Sequence, residues 1–210
     1  MTRRLAVVTA GLGTPSSTRL LSDRLAAAAT RALEAAGETV EVEVVELRAL
    51  AHALADNLLT GFPSGPLADA VETARRADAL VAVTPVFSAS YSGLFKTFFD
   101  VLEIGTLEGT PVLVGATAGT ARHSLVLDHA LRPLFSYLRA VVVPTGVFAA
   151  SEDFGSTGDG ALATRIDRAA GELAALVAAR PATTAGRDEG HAVDAELPDF
   201  VPFEELLRRA

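Results

Sequence analysis

Two spacings of apolar residues alternate along the chain. Residues 5–9 form a short continuous apolar run, after which Leu21, Leu25, Ala28, Ala32 and Leu33 recur at helical spacing until Gly37, a helix stop. Val40, Val42 and Val44 then alternate with glutamates, the pattern of a strand solvated on one side. A turn-rich stretch over 57–66 precedes a helix over 67–77. Residues 79–84 read as a buried strand that leads, through a short turn, into a helix carrying Leu94, Phe95, Phe98, Phe99 and Leu102. A fourth strand is predicted over 111–117, a helix over 123–138, and a last strand over 141–143 with an extension toward Phe148. Pro144 interrupts that element, and a proline within a sheet belongs at an edge. Residues 161–179 form a final amphipathic helix.

Strand and helix in repeated alternation imply a parallel sheet covered on both faces. Five strands and an edge proline fit the order 2-1-3-4-5, an α/β three-layer sandwich of flavodoxin-like type, with its ligand crevice beside strands one and three. The expected organisation is one domain over 1–180, then a polar, glycine-containing linker and tail over 181–210 whose residues 197–207 restore apolar anchors.

With 210 residues, half of them apolar, the chain has enough material for one substantial core. A formal charge of −8 argues against nucleic acid or an anionic membrane as partner, since either requires the opposite field. Cysteine is absent, which removes disulfides, thiolate nucleophiles and metal–thiolate sites. The apolar run after Arg3 and Arg4 is read as a first core strand, not a secretory leader. No later stretch is long enough to span a bilayer, so a cytoplasmic protein is expected.

The chemistry sits in the loops. Ala10-Gly11-Leu12-Gly13-Thr14-Pro15-Ser16-Ser17-Thr18-Arg19 joins the first strand to the first helix. It matches neither nucleotide fingerprint, because no Lys-Ser/Thr follows the glycines and the G-x-G-x-x-G spacing fails. It does gather hydroxyls at a helix N-terminus, where free amides favour a phosphate. Ser16 or Ser17 as a plain N-cap, with Arg19 solvated, is the competing reading. Pro85-Val86-Phe87-Ser88 follows the third strand and offers a turn on which a flat ring can lie, although Phe87 taken alone serves equally well in a core. Thr117-Ala118-Gly119 follows the fourth strand. Three such loops on one carboxyl edge suit FMN better than a dinucleotide. His123, Ser124 and Asp128 lack the G-x-S-x-G elbow of a hydrolase. His123 and His129, six residues apart, point to different helix faces and do not share a metal.

The pattern Thr-Pro-x-x-x-x-Ser-x-x-Gly-x-x-Lys at 84–96, with the run from Gly115 to Leu125 and Leu131-Arg-Pro-Leu-Phe135, resembles the NADPH-dependent FMN reductase family, in the branch found beside luciferase-like monooxygenases. The resemblance covers roughly 4–177. It implies a flavodoxin-like fold, a homodimer or dimer of dimers, and hydride transfer from NADPH or NADH to FMN, with reduced flavin passed to a monooxygenase. By position it places Ser16, Thr18 and Arg19 on the FMN phosphate, Pro85, Val86, Phe87 and Ser88 on the isoalloxazine, and Thr117 with Gly119 near the pyrimidine edge. His123 and Arg122 are placed near the flavin or the NADPH phosphate. Such chemistry requires stacked rings more than an acid or base, so no catalytic residue is assigned. A quinone or azo reductase with tightly held FMN is the rival enzyme, and a flavodoxin-type electron carrier the rival from another class. The helical aromatics are expected to split between core and a helix-to-helix dimer contact, with the 57–66 stretch covering the partner's flavin.

Overall fold

The computed structural model describes residues 2–155 and 159–180. Strand β1 (Thr2–Thr9) lies between β2 (Thr39–Glu46) and β3 (Ala79–Phe87), all parallel. Next comes β5 (Pro111–Ala118), which pairs with both β6 (Val141–Val142) and β7 (Val147–Ala150). The short β4 (Ser90–Tyr91) folds back antiparallel on the end of β3. Counted without that hairpin, and with β6 and β7 taken as one strand broken at Pro144, the sheet has the expected order 2-1-3-4-5.

Helices α1 (Ser17–Ala35) and α6 (Asp159–Ala178) cover one face of the sheet. Leu21, Leu25 and Leu33 of α1 pack there against Leu5, Val7, Val81 and Leu113. Helices α2 (Ala51–Thr60), α3 (Pro66–Arg76), α4 (Gly93–Val101) and α5 (Arg132–Tyr137) cover the other. There Ala6, Val8, Leu80, Val112 and Val114 meet Leu54, Leu67, Phe95 and Phe135. Alternate residues of each central strand thus feed opposite layers, as a doubly covered parallel sheet requires.

Several elements differ from the sequence reading. Half of the 57–66 stretch is not a loop: Asn57 to Thr60 belong to α2, Pro66 opens α3, and 61–65 connect the two. Leu54 and Asn57 anchor that helix inward, and Gly61 ends it in the left-handed region (φ 79°), where its amide donates to the Asn57 carbonyl at 2.8 Å. The helix after β3 stops at Val101, leaving Ile104 exposed. The single helix expected over 123–138 is instead a tight turn at Ala121–His123, a wide π turn at Leu127–Leu131, and α5. Pro133 explains part of this, because it has no amide to donate to the carbonyl four residues back.

Phe95, Phe98, Phe99 and Phe135 are all buried within the subunit, so these aromatics do not form an exposed helix face. Phe99 sits 4.7 Å from Phe95 and 4.9 Å, edge to face, from Phe135 by ring centroid. Helix α4 buries both flanks because α2 and α5 stand beside it on the sheet. The apolar segment expected over 197–207 lies outside the described residues. No helix among them is long and apolar enough to cross a membrane.

Candidate functional site

Strand register brings the chemistry to one edge. Thr9 pairs with Glu46 on one side and Val83 on the other, Val83 with Gly115, and Pro85 with Thr117. The loops after β1, β3 and β5 therefore leave the sheet side by side, at the carboxyl ends where open α/β sheets bind ligands.

In the first loop, the Ala10 amide donates to the Val83 carbonyl at 3.0 Å. Ser16 is the N-cap of α1, its hydroxyl accepting from the Arg19 amide at 3.2 Å. No acidic residue occupies the first turn, so the helix N-terminus presents its positive end uncompensated from within. At Gly11 a Cβ would stand 2.1 Å from the Ser16 hydroxyl oxygen, so a side chain there displaces the cap. The loop thereby closes tightly on its own cap.

Thr18 is buried, and its hydroxyl lies 2.8 Å from that of Thr117, also buried. The contact ties the first loop's helix to the end of β5, while the Thr18 carbonyl accepts from Ser22 Oγ at 2.8 Å. Arg19 points the other way, toward β2. Its Nε donates to Asp23 at 2.7 Å and its Nη1 to Glu46, and Arg48 donates to Thr14 Oγ1 at 2.6 Å.

A cavity of about 380 Å³ opens there, lined by Thr9, Gly11, Gly13, Thr14, Pro15, Ser16, Arg19, Leu20, Asp23, Glu46 and Arg48. Thr9 is only 3% exposed, and its hydroxyl has no hydrogen-bond partner. Buried hydroxyls are normally satisfied, so an orphan in a cavity wall at a helix N-terminus fits an anionic, oxygen-rich group such as a phosphate.

The second loop is a β-hairpin. Val86 faces Tyr91 and Phe87 faces Ser90, so the turn is Ser88-Ala89, both in the left-handed region (φ 48° and 66°). Two consecutive positive φ angles define the tight hairpin turn that glycine and asparagine favour; serine and alanine adopt it at a cost of about 1–2 kcal/mol each. Thr84 holds its base, donating to the Pro85 carbonyl at 2.9 Å and accepting from the Ser92 amide at 3.0 Å. Ser92 in turn caps α4. Pro85 and Val86 are half-buried, and Phe87, 47% exposed, is not a core residue. An apolar, rigidly held surface of this kind can receive a flat ring.

In the third loop Gly119 and His123 are both exposed, and His123 ends the tight turn at Ala121–His123. Asp128 pairs with Arg132 at 2.8 Å. Among the described residues no cluster of His, Cys, Asp or Glu is arranged to hold a metal. The structure thus places Ser16 and Arg19 on the cavity, Thr18 and Thr117 in a buried link behind it, Pro85 to Ser88 on the hairpin, and Gly119 with His123 on the open rim. Sequence reasoning missed Thr9, Glu46 and Arg48. The signal available for them was the parallel pairing of the first two strands, which puts the end of the second beside the first loop.

Comparison with known proteins gives a consistent result. The sequence model described as NADPH-dependent FMN reductase matches residues 3–155. A protein of Pseudomonas aeruginosa named FMN reductase (NADPH) is 38% identical over 151 residues, 72% of this chain and 78% of that one. An oxidoreductase structure from Corynebacterium diphtheriae superposes with a TM-score of 0.83 at 52% identity, covering 86% of this chain and 99% of the other. The apo structure of the NADH:FMN oxidoreductase EmoB superposes with a TM-score of 0.72 at 25% identity, covering 86% and 93%.

Proposed function

The chain belongs to the NADPH-dependent FMN reductase family, and from that premise we propose how its own residues serve NAD(P)H-dependent reduction of FMN. The phosphate is received in the cavity at the α1 N-terminus, by the free amides of the first turn, the Ser16 cap and the orphan hydroxyl of Thr9. The ring lies along the hairpin, against Pro85, Val86 and the exposed face of Phe87, with Ser88 at its end and Thr117 and Gly119 toward its pyrimidine edge. Thr18 acts from behind, through Thr117. When bound, the flavin supplies the electron-accepting centre for hydride from the nicotinamide.

The observation that carries this reading is the cavity at the α1 N-terminus, lined by Thr9 with its buried hydroxyl unpartnered, which shares one sheet edge with a rigid apolar hairpin. The protein's tasks are positioning and water exclusion, since hydride transfer between stacked rings requires neither a general acid nor a general base. His123, exposed on the rim, serves the incoming nucleotide or the flavin rather than a proton-transfer step. We further place the protein in the cytoplasm as a homodimer or dimer of dimers, with its reductase domain over 1–180, supplying reduced FMN to a luciferase-like monooxygenase.

The test is NADPH and NADH oxidation by the purified chain, first without added flavin and then across an FMN titration. Saturable dependence on FMN is expected. Oxidation that proceeds only with a quinone or azo dye would move the assignment to the rival enzyme, and flavin binding without nicotinamide oxidation would make the protein a carrier.

A further inference from the structure

Four charged side chains line the cavity at the α1 N-terminus: Arg19 and Arg48, Asp23 and Glu46. Two guanidiniums and two carboxylates cancel. Arg19, the cation closest in sequence to the helix N-terminus, is engaged on both sides, by Asp23 at 2.7 Å and by Glu46. Yet the cavity has the marks of an anion site, namely the capped helix N-terminus and the buried hydroxyl of Thr9 without a partner. A phosphate monoester carries a charge of about −1.5 to −2 at neutral pH. In this cavity it meets the helix end, about half a positive charge, and Arg48, which donates to the Thr14 hydroxyl at 2.6 Å, while both carboxylates face Arg19. The chain as a whole, at −8, adds repulsion.

Resting on the FMN reductase reading, we propose that Glu46, with Asp23, is an affinity-setting residue. The two carboxylates keep Arg19 occupied and the cavity neutral, so that FMN is held weakly through its phosphate and leaves after reduction as a product. Glu46 stands in a suitable place for this, at the last position of β2, paired in register with Thr9. Neither carboxylate supports the core, since Asp23 and Glu46 side chains are 51% and 55% exposed. That exposure also sets the scale. With solvent between the charges, removing one negative charge from the lining of a cavity that holds a phosphate dianion tightens binding roughly tenfold, not the far larger factor of a buried pair.

The experiment is a fluorescence titration of the full chain with FMN and with riboflavin, which lacks the phosphate, at low and at physiological salt. Glu46→Gln and Asp23→Asn are compared with wild type and with Glu43→Gln. Glu43 is a carboxylate of the same strand that accepts from Thr73 at 2.8 Å and does not line the cavity. The expected result is an FMN Kd lowered roughly tenfold in Glu46→Gln at low salt, a smaller gain at higher salt, riboflavin affinity unchanged, and no change for Glu43→Gln. An FMN Kd within about twofold of wild type would overturn the proposal, as would an equal gain for riboflavin. So would wild-type protein that retains stoichiometric FMN through gel filtration, a result that leaves the reductase reading intact. Failure of every variant to bind FMN would overturn both.

Discussion

The hydroxyls of Thr18 and Thr117 meet at 2.8 Å across 99 residues of chain, and this buried contact locks α1 to the strand that carries the third loop. Replacing either threonine by valine keeps the shape and strands the other hydroxyl without its partner. Thr18→Val is expected to cost about 1–3 kcal/mol of unfolding free energy, with much of the loss recovered in the Thr18→Val/Thr117→Val double variant. Urea unfolding of the four proteins in the cycle measures the coupling, and additive single effects would show that the contact is not made.

Thr9 presents the opposite balance. Its buried, unpartnered hydroxyl is a burden on the flavin-free protein and an asset once an anion is bound. Thr9→Val is therefore expected to raise flavin-free stability by about 1 kcal/mol while weakening FMN binding. Thermal melts without and with saturating FMN check both halves: the variant melts higher without flavin and gains less from adding it.

Two phenylalanines twelve residues apart in sequence separate fold from function. Phe99, 1% exposed and packed between Phe95 and Phe135, belongs to the core, so Phe99→Ala is expected to cost about 3–5 kcal/mol. Phe87 is half-exposed on the hairpin, and Phe87→Ala is expected to cost under about 0.5 kcal/mol while loosening riboflavin and FMN alike. Equal unfolding midpoints for the two variants would contradict this assignment.

The hairpin turn stores strain at Ala89, with φ 66°. Ala89→Gly removes it, and after allowing for the greater freedom of glycine in the unfolded chain is expected to stabilise by about 0.5–1 kcal/mol. A lowered unfolding midpoint would show that the alanine is not held in that conformation.

At the opposite edge of the sheet, the guanidinium of Arg3 donates to Glu38 at 2.9 Å and holds that carboxyl below its ordinary value of 4.5. A folded-state value below the unfolded one contributes stability that is complete above the unfolded value and is lost as pH falls through the folded one. Glu38→Gln is expected to lower stability at neutral pH and to flatten its decline below about pH 5. Unfolding free energies measured from pH 7 down to pH 3 test the sign.

The two apolar periods carried most of the architecture. The continuous runs of β1, β3 and β5 and the helical stripe of α1 correspond to strands covered on both faces and a helix covered on one, and Pro144 falls where the last strand breaks at the sheet edge. Errors arose where local pattern and packing diverge. Asn57 and the glycines and prolines after it suggested a loop, yet Leu54 and Asn57 are buried and α2 runs on through exposed residues to Thr60, where Gly61 ends it. The phenylalanines of α4 seemed too many for one sheet because the sequence could not indicate that α2 and α5 flank the helix.

Alone, the chain's order of residues determined that three loops rich in hydroxyls and small residues leave one sheet edge, because strand and helix periods are local and loops fall between them. The tertiary structure decided which side chains each loop meets. It turned Thr18 inward to Thr117 and Arg19 outward to Asp23 and Glu46, although the two are neighbours, because successive residues on a helix point about 100° apart. It also brought Glu46 and Arg48 to the cavity of a loop more than 30 residues earlier through the parallel register of β1 and β2. The charge an incoming phosphate meets depends on those through-space neighbours, and no local period encodes them.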